Sequence, residues 1–381
     1  MKLRALGIDV ERLTGRRTGV ARYISALLRE WAQMELPFER VLLFSPSRLE
    51  AETLPARHPY SVCVPGPGRP RAAWAHWTLA RAAREVDALF CPSYVVPLAY
   101  RGASVVTIHD AIHEVMPATF SRRSLWTRRP LYRFSARRAD LVLTDSQASK
   151  RDLERAYGLS AEQVVAIPLG VDSAFREVTG ADEERVRKRY GLGTSGVVLF
   201  VGKFSRRRNL PTLVRAFAEL RRAHDPDVLL VLAGDDHLGL ELADLAEGLG
   251  IGGSVHIVGH VPDEDLPALY ATSTMLAYPS DHEGFGLPVV EAMAAGTAVI
   301  TLDNSALREV ADDAALLLPA ATVDGLAEAM WRLLRDRPFR EELVRRGKTR
   351  AQRFSWSETA RRTMTALAQV GAGEGSGFVG G

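Results

Sequence analysis

Short runs of Val, Leu and Ile that alternate with longer segments of helical period constrain this chain more than any other feature. Apolar runs of four to eight residues suit strands buried on both faces, and their alternation with helices predicts βα units on parallel sheets, an α/β fold. In the first half the predicted strands are Leu3–Val10, Val41–Pro46, Ala88–Cys91, Val105–His109, Leu141–Asp145 and Val164–Pro168. Helices are predicted over Gly19–Trp31, Trp74–Val86 and Gln147–Tyr157. The pattern then starts afresh, with strands at Val197–Gly202, Val228–Gly234, Val255–Gly259, Met275–Pro279, Ala298–Thr301 and Ala315–Leu318. Its helices are expected over Pro211–Arg222, Leu240–Leu249, Asp265–Ser273 and Gly325–Leu334.

A chain of 381 residues suits two domains of ordinary size. Pro168-Leu169-Gly170-Val171-Asp172 and the charged, strand-poor stretch through Tyr190 place the linker between them. The expected divisions are 1–172, 173–355, a last helix over 356–370, and a disordered Gly-rich tail over 371–381. Two doubly wound, Rossmann-like domains facing across a cleft predict a ligand at the carboxyl ends of both sheets. Function is therefore to be sought in strand-end loops.

Composition excludes several classes. With 46% hydrophobic and 25% charged residues the chain is neither disordered nor collagenous. Cys63 and Cys91 are too few for a disulfide framework or a zinc site and read as small hydrophobes. The first twelve residues lack an apolar core for a secretory signal, and no run of about 18 apolar residues suggests a membrane span, so a cytosolic location is expected. A net charge of +3 argues against a dedicated nucleic-acid binder.

Four segments carry chemistry. In Tyr278-Pro-Ser-Asp-His-Glu283-Gly-Phe285-Gly286-Leu287-Pro-Val-Val-Glu291, a buried strand runs through a glycine-containing loop into a helix. Free N–H groups at that helix start suit a phosphate, and carboxylates suit sugar hydroxyls; alternatively Glu283 is a solvated loop acid and Glu291 a helix-dipole partner. In the second, Gly202 ends a strand and Lys203, Arg206, Arg207 and Arg208 follow before a helix, a pattern that fits a pyrophosphate or a solvated basic loop. In the third, Val105–Ile108 ends in His109-Asp110, a polar pair for substrate or a satisfied structural histidine. In the fourth, Gly15 and Gly19 open the first helix without forming a dinucleotide fingerprint.

The string HEGFGLPVVEAMAAGTAVI, with its E-x7-E pair, resembles the signature of retaining nucleotide-sugar glycosyltransferases of family 4, which have the GT-B fold of two Rossmann-like domains. The resemblance extends over roughly residues 1–365 through Thr144–Lys150, Ile167–Asp172, Ser305–Val310 and Phe354–Trp356. It implies that Glu283 contacts the transferred sugar, Glu291 the ribose, and the Phe285, Gly286 and Leu287 amides the diphosphate. Lys203 and Arg208 take the places of the family's diphosphate-binding Arg and Lys, with the two types exchanged. His109 then sits near the reacting sugar, Gly202 and Gly19 allow close approach, and the last helix returns to the N-terminal domain. Ser146 reads as a helix cap, Glu309 as a helix-start acid.

The activity implied is transfer of a hexose from a nucleotide diphosphate sugar to an acceptor hydroxyl. The resemblance leans towards mannosyl transfer from GDP-mannose in surface-polysaccharide or glycolipid assembly. A phosphorylase, a sugar-nucleotide epimerase and a non-catalytic surface module are the alternatives. No divalent metal is expected; Asp235, Asp236, Asp263 and Asp265 read as caps. The +3 hides an asymmetry, since residues 1–172 hold 25 Lys+Arg against 17 Asp+Glu while residues 173–381 hold 24 against 29. Ser121–Asp140 holds seven Arg interleaved with aromatics and reads either as a packed helix or as a surface for anionic membrane, fitting a lipid-linked or saccharide acceptor.

Overall fold

The structure is a computed structural model, and it describes residues 2–15, 19–50, 53–56, 58–224, 227–236 and 238–373. The chain forms two compact units, one built from the chain up to Gly170 with the segment from Trp356 onward, the other from Val171–Ser355. The first unit carries a parallel sheet of β1 (Leu3–Asp9), β2 (Phe38–Phe44), β3 (Tyr60–Cys63), β4 (Ala88–Cys91), β5 (Ser104–Thr107), β6 (Leu141–Thr144) and β7 (Val164–Ala166), in the order β3-β2-β1-β4-β5-β6-β7. The second carries β8 (Gly196–Val201), β9 (Val228–Ala233), β10 (Val255–Gly259), β11 (Met275–Tyr278), β12 (Ala298–Leu302) and β13 (Leu316–Leu318), in the order β10-β9-β8-β11-β12-β13, also parallel.

The main helices are α1 (Gly19–Trp31), α2 (Arg122–Arg138), α3 (Gln147–Tyr157), α4 (Gly180–Arg189), α5 (Leu210–His224), α6 (Leu242–Gly248), α7 (Leu266–Ala271), α8 (Leu287–Ala295), α9 (Ser305–Ala311), α10 (Val323–Arg335), α11 (Arg337–Ala351) and α12 (Trp356–Gly371). The predicted helix at 74–86 is interrupted by a π turn over Trp74–Thr78. Buried Leu6, Ile8, Trp31 and Phe90 anchor the first core; Phe200, Phe204, Phe217 and Tyr278 anchor the second.

In each sheet the strand order reverses once, between β1 and β4 and between β8 and β11. Connections diverge at such a point and leave a crevice at the carboxyl ends. Because β8 pairs directly with β11, with Val198 beside Met275, the loops that follow these two strands leave side by side.

Several expectations need correction. The charged stretch up to Tyr190 is not a linker throughout: α4 opens with a capping box between Thr179 and Asp182 and buries Val186 in the second unit. Only one buried apolar side chain faces inward there, so no hydrophobic stripe announced the helix. Strand β3 is not predicted because Ser61 and Val62 are exposed on a sheet edge, and α11 is not predicted either. The last helix reaches Gly371, where a Cβ would press on Leu3, so the tail does not start at 371; residues 374–381 lie outside the described residues. Helix α12 packs on α1, with Trp31 Nε1 donating to the Ala360 carbonyl at 2.9 Å.

Candidate active site

In the second unit a cluster of buried and half-buried charged side chains stands at the carboxyl ends of β8 and β11. After β8 the chain turns at Gly202, whose φ of +137° leaves a Cβ no room beside Arg208. A single 3-10 turn over Arg206–Arg208 follows, ended by Asn209 in the left-handed region at φ +52°. Asn209 Nδ2 donates to the Pro279 carbonyl at 3.0 Å and to Asp281 Oδ1 at 2.8 Å, while the Asp281 amide donates to the Arg207 carbonyl at 2.8 Å. The two loops are thereby stitched together.

Glu283 lies at the centre. Arg207 donates Nη1 to its Oε1 at 2.8 Å and Nη2 to its Oε2 at 3.0 Å; Arg208 Nε reaches Oε1 at 3.0 Å. Tyr278 OH and Ser280 Oγ also donate to Oε1, at 2.7 and 3.0 Å. The Glu283 side chain is 9% exposed, and those of Arg207 and Arg208 are 15% and 13%. Burial raises the Glu283 pKa, but the two guanidinium charges and the hydrogen bonds outweigh it and hold the carboxyl at about 2. Arg208 is held above its ordinary value: burial disfavours its charge, and Glu283 more than compensates.

Helix α8 begins beyond Gly286, itself at φ +106° with Leu307 packed where a Cβ would stand. The amides of Phe285, Gly286 and Leu287 meet no acceptor among the described residues, which leaves a row of donors at a helix start. Phe285 is buried edge-on against Phe354 at 5.5 Å. Glu291 lies in the second turn of α8, buried, with Tyr270 OH donating to its Oε2 at 3.0 Å. The two glutamates therefore hold to different partners. The Lys203 side chain is exposed and its ammonium has no partner among the described residues, whereas Arg208 Nη1 donates to the Lys203 carbonyl at 2.7 Å. Among the described residues Lys203 alone of the two expected diphosphate cations stands open, and Arg208, engaged with Glu283, has only Nη2 without a partner.

The first unit holds its own buried pair. Strands β5 and β6 run in register with Thr107 beside Leu143, so His109 and Asp145, two residues further on, come together. His109 Nδ1 is 2.8 Å from Asp145 Oδ2 and Nε2 is 3.3 Å from the Pro92 carbonyl. Burial opposes charge on both partners and raises the Asp145 pKa; for His109 the Asp145 carboxylate overrides burial and lifts the pKa above its ordinary value. Tyr23 and Tyr94 meet the His109 ring edge-on, at 5.1 and 5.6 Å. Asp110 accepts from Tyr94 OH at 3.0 Å and caps the Ile112 amide. Asp9, at the carboxyl end of β1, is pushed up to about 7 by burial. Gly19 is the first residue of α1, with open space around it, and the neighbouring residues 16–18 lie outside the described residues.

Sequence reasoning did not single out Tyr278, Ser280 or Asp145, and it named Arg207 only within the cation run after Gly202, without ranking it; the strand registers carry the signal for Asp145. Ser146 caps α3 as expected, accepting from the Ser149 amide at 3.0 Å. Asp265 is not a side-chain cap: it is buried and accepts from Arg185, from Arg189 at 2.7 Å and from Tyr190 OH at 3.0 Å. Asp236 accepts from the amides of Leu238, Gly239 and Leu240. Glu309 lies inside α9, its carbonyl accepting from Arg350 at 2.6 Å. Among the described residues no three His, Cys, Asp or Glu side chains converge as ion ligands. No helix among them is long and apolar enough to cross a membrane. In α2, Leu125, Leu131, Tyr132 and Phe134 turn partly inward, while Trp126 is 81% exposed beside exposed Arg122, Arg123 and Arg133.

Residues 17–175 match Glycosyltransferase Family 4, and residues 182–350 match Glycosyl transferases group 1. The chain is 32% identical over 279 residues to the O-antigen chain mannosyltransferase B of Escherichia coli, with 72% of each chain covered. It is 33% identical over 290 residues to the MMP alpha-(1->4)-mannosyltransferase of Mycolicibacterium hassiacum, covering 70% of this chain and 66% of that one. The solved structure of Anabaena HepE in complex with UDP and glucose superposes with a TM-score of 0.77 at 21% identity, over 96% of this chain and 100% of that one. Two doubly wound parallel sheets of this kind are the GT-B fold. The chain belongs to the group 1, family 4 glycosyltransferases.

Proposed function

We propose that this protein is a retaining hexosyltransferase that moves mannose from GDP-mannose to an acceptor hydroxyl in polysaccharide or glycolipid assembly. One observation carries the reading: a buried, ionised Glu283 stands beside more cations than it needs, next to unpaired amides at the start of α8. A carboxylate suits sugar hydroxyls, and the surplus positive charge and amides suit a diphosphate. The mannose assignment is supported by the names of two relatives, both mannosyltransferases.

In the reaction the bond from the anomeric carbon to the diphosphate oxygen breaks and a bond to the acceptor oxygen forms on the same face. The acceptor proton passes to the departing phosphate, so no enzyme nucleophile is required. Lys203, the uncommitted Nη2 of Arg208 and the Phe285, Gly286 and Leu287 amides stabilise the charge growing on the leaving group. These groups take the part that a divalent ion plays in other enzymes. His109, held by Asp145, positions the reacting sugar. A thermal-shift screen against GDP-, UDP-, ADP- and TDP-sugars tests the donor: GDP-mannose should give the largest stabilisation, and no shift with any of them would overturn the reading.

The acceptor is lipid-linked and presented at an anionic membrane surface. The support is the outward stripe of α2, where Arg122, Arg123 and Arg133 flank Trp126 with no acidic residue in the helix. Vesicles should sediment the protein only when they contain anionic lipid, and sedimentation indifferent to lipid charge would contradict this.

A further inference from the structure

The two guanidinium groups on Glu283 are not equivalent. Arg207 meets the carboxylate with both terminal nitrogens, the two-pronged geometry that fixes a carboxylate plane as well as its position. Arg208 gives only Nε, spends Nη1 on the Lys203 carbonyl, and lies over the Tyr278 ring with its carbon 5.5 Å from the centroid. The acceptor oxygens differ as well. Oε1 takes donors from Arg207, Arg208, Tyr278 and Ser280; Oε2 takes one, from Arg207 Nη2. Among the described residues Oε2 thus carries one donor against four on Oε1, and it is the less crowded oxygen, the one with room for a further donor.

The backbone of Arg207 is fixed from outside its own loop. Its carbonyl accepts from the Asp281 amide, and left-handed Asn209 ties the end of the same turn to Pro279 and Asp281. The strand-end loop that carries Glu283 therefore also holds the arginine that orients it.

We propose that Arg207 is the positioning residue for the donor sugar: its fork sets the Glu283 plane so that Oε2 faces a sugar hydroxyl, and it frees Arg208 to turn its remaining amino group to the diphosphate. The proposal rests on the reading of Glu283 as the group that contacts the sugar. It assigns sugar orientation and phosphate binding to different members of one arginine pair.

The experiment compares Arg207→Lys, Arg207→Ala and Glu283→Gln with the wild type, measuring kcat, KM for GDP-mannose, affinity for GDP, and the ratio of kcat/KM for GDP-mannose and GDP-glucose. Lys keeps the charge and loses the fork, so Arg207→Lys should lower kcat about a hundredfold and flatten the sugar preference. GDP affinity should stay within about twofold, because GDP has no sugar to orient. Arg207→Ala should also raise the pH at which the acid limb of kcat/KM appears, since one of the two charges keeping Glu283 ionised is gone. Should Arg207→Ala not fold, Arg207→Lys carries the same comparison. Wild-type kcat and sugar preference in Arg207→Lys, with Glu283→Gln inactive, would overturn the Arg207 assignment alone. An active Glu283→Gln would overturn the reading beneath it. Loss of GDP affinity with normal sugar preference would make Arg207 a phosphate ligand and refute the division of roles.

Discussion

The two units each bury a charged centre at the carboxyl end of a parallel sheet, and the centres are balanced in opposite ways. In the first, one imidazole faces one carboxylate, His109 and Asp145. In the second, one carboxylate faces two guanidinium groups, with Lys203 open nearby. Around His109 the negative charge exceeds the positive, because Asp110 also acts on His109 and on Asp145, and among the described residues no cation is left over there for an anionic ligand. An excess of cations around Glu283 keeps that group ionised and leaves positive potential for a ligand that carries more than one negative charge. On the proposed reading, counter-charge in excess suits the surroundings of Glu283 to a diphosphate, whereas the His109–Asp145 pair suits orientation.

The largest test of that contrast is Arg208→Ala. Turnover should fall by about a hundred- to a thousandfold, because on the proposed reading a cation that serves the leaving group is lost, with the circular dichroism of the folded protein retained. Near-normal transfer by the folded variant would remove the distinction. The matching change in the first unit, Asp145→Asn, should act on pH dependence. A histidine whose pKa is raised on folding contributes stability that is fully present below its unfolded value of 6.5 and is lost as pH rises through its folded value. The variant should thus show its melting-temperature deficit below pH 6.5 and little deficit above the folded pKa; an equal deficit at all pH values would mean that no charge is shared with His109.

Glu283 gives the opposite sign. Its depressed pKa contributes stability that is complete above 4.5 and lost as pH falls towards 2. Acid unfolding of the wild type should therefore be steeper than that of Glu283→Gln, and superimposable acid transitions would contradict the ionised, arginine-held carboxylate. The smallest effect is expected from Gly202→Ala. A side chain at φ +137° and a Cβ against Arg208 should cost about 1–3 kcal/mol in urea unfolding, and no measurable loss would show that the turn yields easily.

Much of the fold is legible in the sequence. Strands buried on both faces are continuous apolar runs, so β4, β5, β6, β8 and β11 stand out, and most of the candidate site residues lie in the segments that follow them. Lys203 and Arg208 follow β8, Glu283 follows β11 and His109 follows β5, and the family resemblance is what singled them out among their neighbours. Partner choice was not legible. Whether Arg207 or Arg208 grips Glu283 with two nitrogens depends on a single 3-10 turn ended by left-handed Asn209, and a run of three arginines does not encode that rotation. Asp145 became a partner of His109 only through the register of β5 with β6. Helix α4 was hidden by its charge, since Arg185 and Arg189 are spent on buried Asp265, in a pairing set by tertiary contact.

The excess positive charge around Glu283 is proposed to hold a nucleotide diphosphate sugar. Calorimetric titration of GDP-mannose into the wild type and into the Lys203→Ala, Arg208→Ala double variant tests it most directly. GDP-mannose should bind the wild type, and its affinity should weaken about a hundredfold or more in the folded double variant. Equal affinity in the two proteins, or no binding to the wild type, would contradict it.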